Sequence, residues 1–117
     1  MAQLADAQEN DEKIRIRDLN DTFRSSGQGG RILMTSGVQA LSTIDQSEVF
    51  QKIRLFDDFK EANDPYGEHD FGSIEHKGEK IFFKIDYYDR DLKNHSENPA
   101  DPLKTARVMT VMLACEY

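Results

Sequence analysis

The 117-residue sequence predicts an α+β domain: an antiparallel sheet of about four strands with two helices packed on one face. Three observations predict it. Ile16, Leu19 and Phe23 recur at helical spacing between charged residues. Ile81, Phe83, Ile85 and Tyr87 alternate with Phe82, Lys84, Asp86 and Tyr88, the pattern of a half-buried strand. Lys77-Gly78 suits the tight turn that joins this strand to the apolar run before it.

Taken in order, residues 1–13 read as a flexible lead-in, and residues 14–117 as a single domain of ordinary size. The first residues are small and polar, although their alanines favour extension of the helix that follows. That helix starts near Asn10 or Asp11 and stops at Ser25-Ser26-Gly27-Gln28-Gly29-Gly30, where glycines supply left-handed conformations. Residues 31–36 predict a strand, with Gly37 marking a bulge or bend. Asp45 followed by Glu48 resembles a capping box and opens a second helix over about 46–56, with Val49, Ile53 and Phe56 on one face and Phe50 widening it. Residues 71–76 and 79–88 form the hairpin. Residues 89–102 are a long loop rich in Asp, Asn and Pro, and 107–114 close as a strand because Val and Thr alternate with Met.

Charge is unevenly placed. Residues 57–101 hold thirteen of the 22 acids and six of the 15 bases, a local balance of −7, while the remainder holds nine of each. Such a field repels phosphate backbones, which disfavours direct nucleic-acid binding there and favours basic partner surfaces. The lone Cys115 excludes an intramolecular disulfide and reads as a small buried hydrophobe in an apolar run. With no secretory leader pattern and no run of about 18 apolar residues, the expected setting is cytoplasmic, away from membranes.

The most informative stretch is Asp57-Asp58-Phe59 followed by Asn63-Asp64-Pro65-Tyr66-Gly67-Glu68-His69-Asp70-Phe71. Loops carrying such residue types are where function concentrates. Asp57, Asp64, Glu68, His69 and Asp70 offer hard oxygens and one imidazole, a mix suited to magnesium, manganese or calcium, but their spacing matches no EF-hand loop. His69 beside Glu68 and Asp70 has the makings of an oriented general base, although strand neighbours point to opposite faces. No nucleophile elbow, phosphate loop or dinucleotide fingerprint accompanies it. The plainer reading has Asp57 or Asp58 capping amides, Asn63-Asp64-Pro65 starting a turn and Gly67 taking a positive φ. His76 and His95 read as solvated. Phe83 and Ile85 read as core, with Phe82 and Tyr88 at a sheet edge or partner surface.

These residues lead to a small acidic, non-catalytic interaction protein without a cofactor, and the reading leans against an enzyme. Its candidate partner-binding residues are Asp57, Asp58, Asp64, Tyr66, Glu68, Asp70, Asp86, Tyr88, Asp89 and Asp91, facing a basic protein surface. The alternative is a small metal-dependent hydrolase or nuclease built on Asp57, Asp64, Glu68, His69 and Asp70, with His69, Glu68 and Asp70 in catalysis. A third reading, a structural partner in an oligomer, predicts a large exposed apolar patch near the hairpin or the last strand.

From about Ile14 onward, the strings Ile16-Arg17-Asp18-Leu19-Asn20-Asp21-Thr22-Phe23-Arg24, Gly29-Gly30-Arg31, Thr35-Ser36-Gly37-Val38, Phe56-Asp57-Asp58-Phe59, Asn63 through Gly72, Lys84-Ile85-Asp86-Tyr87-Tyr88-Asp89 and Arg107-Val108 to Glu116-Tyr117 resemble an uncharacterised bacterial family, domain of unknown function 3768. The resemblance supplies no activity. It implies an accessory gene of plasmids or phages, which makes the interaction reading concrete as an inhibitor of the anti-CRISPR or anti-restriction type. The basic partner would then be a CRISPR effector or a restriction nuclease.

Overall fold

The computed structural model describes residues 2–117, with side chains from Asn10 onward. Helix α1 (Ala2–Ser26) leads to strand β1 (Arg31–Met34), the short helix α2 (Ser36–Gln39) and helix α3 (Thr43–Arg54). Strands β2 (Phe71–His76), β3 (Glu79–Tyr88) and β4 (Ala106–Leu113) follow, and a 3₁₀ turn spans Ala114–Glu116.

Local chemistry accounts for most boundaries. Helix α1 takes in most of the 1–13 stretch that the sequence reading sets apart, because Ala, Gln and Glu continue a helix readily. It stops at Gly27, whose φ of 75° lets its amide close back on the Phe23 carbonyl at 2.8 Å. The cap of α3 lies upstream of the expected Asp45-Glu48 pair: the Ser42 hydroxyl accepts from the Asp45 amide at 3.0 Å. Around Gly37 the chain makes helix α2 instead of a bulge, and the Glu116 carboxylate holds it there. Glu116 accepts from the Gly37 amide at 2.9 Å, from the Leu113 amide at 2.9 Å and from the Thr35 hydroxyl at 2.5 Å. These donors keep its carboxyl below the ordinary range, with Thr35 contributing most. The hairpin turn places Lys77 and Gly78 at φ 51° and 82°, the doubly left-handed geometry that matches strand twist.

The four strands lie in the order β1-β4-β3-β2. The sheet is mixed, which corrects the antiparallel expectation: β2, β3 and β4 are antiparallel, but β1 runs parallel to β4. Strand β1 has only four residues and pairs with the last strand across the whole helical and hairpin region, so nothing in its own pattern encodes its direction.

Register decides what each sheet face carries. Gly72 and Val111 flank Phe83, Met109 opposes Ile85 and Arg107 opposes Tyr87. These residues face a core to which α1 gives Ile16 and Phe23, α2 gives Val38, and α3 gives Val49 and Ile53. All three helices therefore serve one sheet face. On the other face Phe82 opposes Met112 and Lys84 opposes Thr110, while Tyr117, although 76 % exposed, sets its ring edge-on to Phe71 and Phe82 at 5.9 and 5.7 Å. Cys115 is exposed in the 3₁₀ turn, contrary to the buried reading, because the strand ends at Leu113 and the chain leaves the sheet. No helix among the described residues is long and apolar enough to cross a membrane.

Candidate functional site

The acids of the central segment divide into an inward set and an outward set. Asp64 is buried, and its carboxylate accepts from the amides of Glu68 at 3.0 Å and His69 at 3.1 Å, closing the loop around Gly67. Glu68 accepts from the Tyr87 hydroxyl at 2.8 Å. Tyr87 in turn accepts from the amide of Asn20, a fully buried residue of α1, at 2.8 Å. The same Asn20 amide reaches the Glu68 carbonyl at 3.0 Å, and its oxygen accepts from Arg107 Nε at 2.9 Å. One buried asparagine thus ties helix, loop and two strands together. Burial, reinforced by the bond to Glu68, pushes the Tyr87 phenol far above its ordinary range, so it stays a donor.

His69 does not use its sequence neighbours. Its backbone takes a positive φ of 57°, which turns the ring toward α1. There Nδ1 meets the Asp21 carboxylate at 2.9 Å, and Nε2 faces Asp64 at 3.8 Å. The ring stacks flat on Phe59 at 3.9 Å, and Asp21 also pairs with Arg24 at 2.8 Å. With a carboxylate facing each ring nitrogen, this imidazole ties the loop to α1.

Asp70 is different. Its carboxylate is half-buried and, among the described residues, has no cation within 4 Å. It opens with Tyr66, Phe71, Tyr117 and the Lys84–Asp86 pair onto a cleft of about 500 Å³. Desolvation, then the negative charges of Glu68, Asp64 and Asp86, raises its pKa from 3.8 to about 6. The sign follows. Between 3.8 and about 6 the folded chain holds a proton that the unfolded chain has released, so this group's contribution to stability falls as pH rises through that window. Above it the ionised carboxylate is a constant cost. Asp70→Asn should therefore stabilise the domain at neutral pH, by about 1 kcal/mol once solvent screening is allowed for, and flatten the slope across that window. Urea titrations on both sides of the window check this; an unchanged slope contradicts it.

A second cluster was not legible from sequence. His76, expected to be solvated, is 5 % exposed because the β2 register places it under α3. Asp45 and Glu48, one turn apart on α3, bring carboxylate oxygens to 2.9 and 3.5 Å from its Nε2. Among the described residues, Asp45, Glu48 and His76 are the group whose ligand atoms converge within 4.8 Å; the set Asp57, Asp64, Glu68, His69 and Asp70 does not. The surroundings favour a clamp over an ion. Lys52 Nζ faces Nδ1 at 3.3 Å and Lys77 Nζ lies 2.9 Å from Asp45, so cations already occupy both sides. A metal on Nε2 would need Nδ1 protonated against the Lys52 ammonium. His76 and Lys77 together hold the Asp45 carboxyl well below the carboxylate range, His76 contributing most.

The remaining expected residues scatter. Asp57 and Asp91 are exposed, and Asp58 pairs with Lys60 at 3.4 Å. Asp89 accepts from the Lys93 amide at 3.0 Å, which lowers its pKa. Tyr88 sits at the exposed end of β3, bridged to His95.

The fold and its polar interior define a small α+β domain built around one buried asparagine network. Residues 34–116 match the family described as a protein of unknown function (DUF3768), and the chain belongs to that family. No curated protein and no solved structure matches.

Proposed function

We propose that this domain is a non-catalytic interaction protein that receives a cationic side chain of a basic partner in the cleft at Asp70. One observation carries the reading: a half-buried carboxylate with no cation within 4 Å among the described residues opens onto a cleft walled by Tyr66, Phe71 and Tyr117. Aromatic faces and an uncompensated carboxylate are what a guanidinium or ammonium group seeks. Asp57, Asp91 and the other exposed acids add the long-range field that steers such a partner. A nucleic-acid-handling protein has a fitting surface, since its cationic groove complements a negative one. Inhibition of a defence nuclease is the concrete form of that proposal.

The test is fluorescence anisotropy with a labelled arginine-rich peptide. Binding is expected at low salt, weakening steeply as salt rises. The Asp70→Asn, Asp86→Asn double variant should bind about tenfold more weakly. No binding at low salt, or equal binding by the double variant, overturns the proposal. Binding should also fall as pH drops below about 6, because the protonated Asp70 no longer offers a charge.

A further inference from the structure

The open sheet has two edges, on β1 and on β2, and they are not equally closed. Strand β1 has four residues, and the Gln39 amide donates to its last carbonyl, that of Met34, at 2.7 Å. Strand β2 has six residues. Its free side is blunted near the far end, where Lys52 Nζ donates to the Glu75 carbonyl at 2.8 Å.

Register fixes which β2 groups lie on that side. The Ile85 amide donates to the Asp70 carbonyl at 2.8 Å, and Asp70 stands one place before the Phe71–Lys84 pair. In an antiparallel ladder, pairs that exchange backbone bonds alternate with pairs that do not, so Gly72, Ile74 and His76 turn their backbone groups to β3. Phe71, Ser73 and Glu75 turn theirs outward. Among the described residues the N–H and C=O of Phe71 and Ser73 have no hydrogen-bond partner, and neither residue is buried. Such a row of free groups is a template for another strand.

The same alternation places the side chains. Phe71, Ser73 and Glu75 share the sheet face away from the helices with Lys84 and Asp86, and Phe71, Lys84 and Asp86 line the cation cleft. A strand laid antiparallel along β2 would set the side chain opposite Phe71 on this face, beside the cleft. Four positions earlier in that strand, another side chain would oppose the exposed Glu75. Strand β2 belongs to the stretch 57–101, whose balance is −7, so a basic strand is attracted and a second copy of this acidic chain is repelled.

We propose that the basic partner enters as an extended segment that adds to the free edge of β2 as a fifth strand, with basic side chains at positions i and i+4. The inference rests on the cation cleft at Asp70 and names the form of the ligand that fills it. Main-chain bonds to Phe71 and Ser73 supply affinity that does not depend on charge, while the two basic side chains supply selectivity.

The experiment compares the peptide acetyl-Arg-Val-Thr-Val-Arg-amide at low salt with two twins of equal charge. Methylating the threonine nitrogen removes the donor that meets the Ser73 carbonyl, whereas methylating the first valine nitrogen alters an amide directed away from β2. The parent and the valine-methylated peptide are expected to bind alike, and the threonine-methylated peptide about tenfold more weakly. Saturation with the parent should slow hydrogen exchange at the Phe71 and Ser73 amides and leave Ile32, on the β1 edge, unchanged. Equal binding by all three peptides, or unchanged exchange at Phe71 and Ser73, overturns strand addition while the cation cleft stands on its own peptide shifts. Absence of binding by every peptide overturns both. Exchange at these two amides that slows with protein concentration alone assigns the edge to a second copy, which also overturns the proposal.

Discussion

Replacing Asn20 by Ala is expected to lower the stability of the domain by 3 kcal/mol or more, on the order of two buried polar groups losing their partners at once. The side chain is fully buried, yet it satisfies the Glu68 carbonyl, the Tyr87 hydroxyl and Arg107 Nε together. Truncation leaves Arg107 with only the Pro99 carbonyl and adds a cavity where water has no easy access. The loss should be non-additive with Tyr87→Phe, because both changes act on one network. Urea unfolding of the two single variants and the double variant measures this. A loss below about 1 kcal/mol for Asn20→Ala would show that the network is not what joins α1 to the sheet.

Gly72→Ala should be nearly as severe, at about 3 kcal/mol, the upper part of the range for overpacking a filled core. An added Cβ would lie 2.6 Å from Phe83 Cζ and 2.7 Å from Phe56 Cε1. Phe83 has no room to retreat, being fully buried and already edge-on to Phe56 and Phe59 at 5.3 and 6.5 Å, and Phe56 is itself edge-on to Phe59 at 4.9 Å. Relief would require β2 to part from β3, so the variant should show both a lower melting temperature and faster amide exchange along β2. Wild-type exchange rates in β2 would count against that packing argument.

The hairpin and the last strand were legible because their signals are local. Alternation from Ile81 to Tyr87 marks the buried face of β3, and Lys77-Gly78 marks its turn. The direction of β1 and the inward turn of the acids were not legible, since both depend on partners distant in sequence. Asn20 left a signal that charge patterning hid: it follows Ile16 by four positions and therefore lies on the apolar stripe of α1. A polar residue on such a stripe marks a buried hydrogen-bond hub. His69 offered no comparable sign, because its partner Asp21 lies 48 positions away on α1.

The central claim is that an uncompensated carboxylate in an aromatic-walled cleft receives a cation from a basic partner. Its most direct test is an amide chemical-shift titration of the domain with an unlabelled arginine-rich peptide at low salt. The account predicts saturable shifts confined to Tyr66, Asp70, Phe71, Asp86 and Tyr117. Shifts spread evenly over every exposed acid, with none saturating at that cleft, would contradict it.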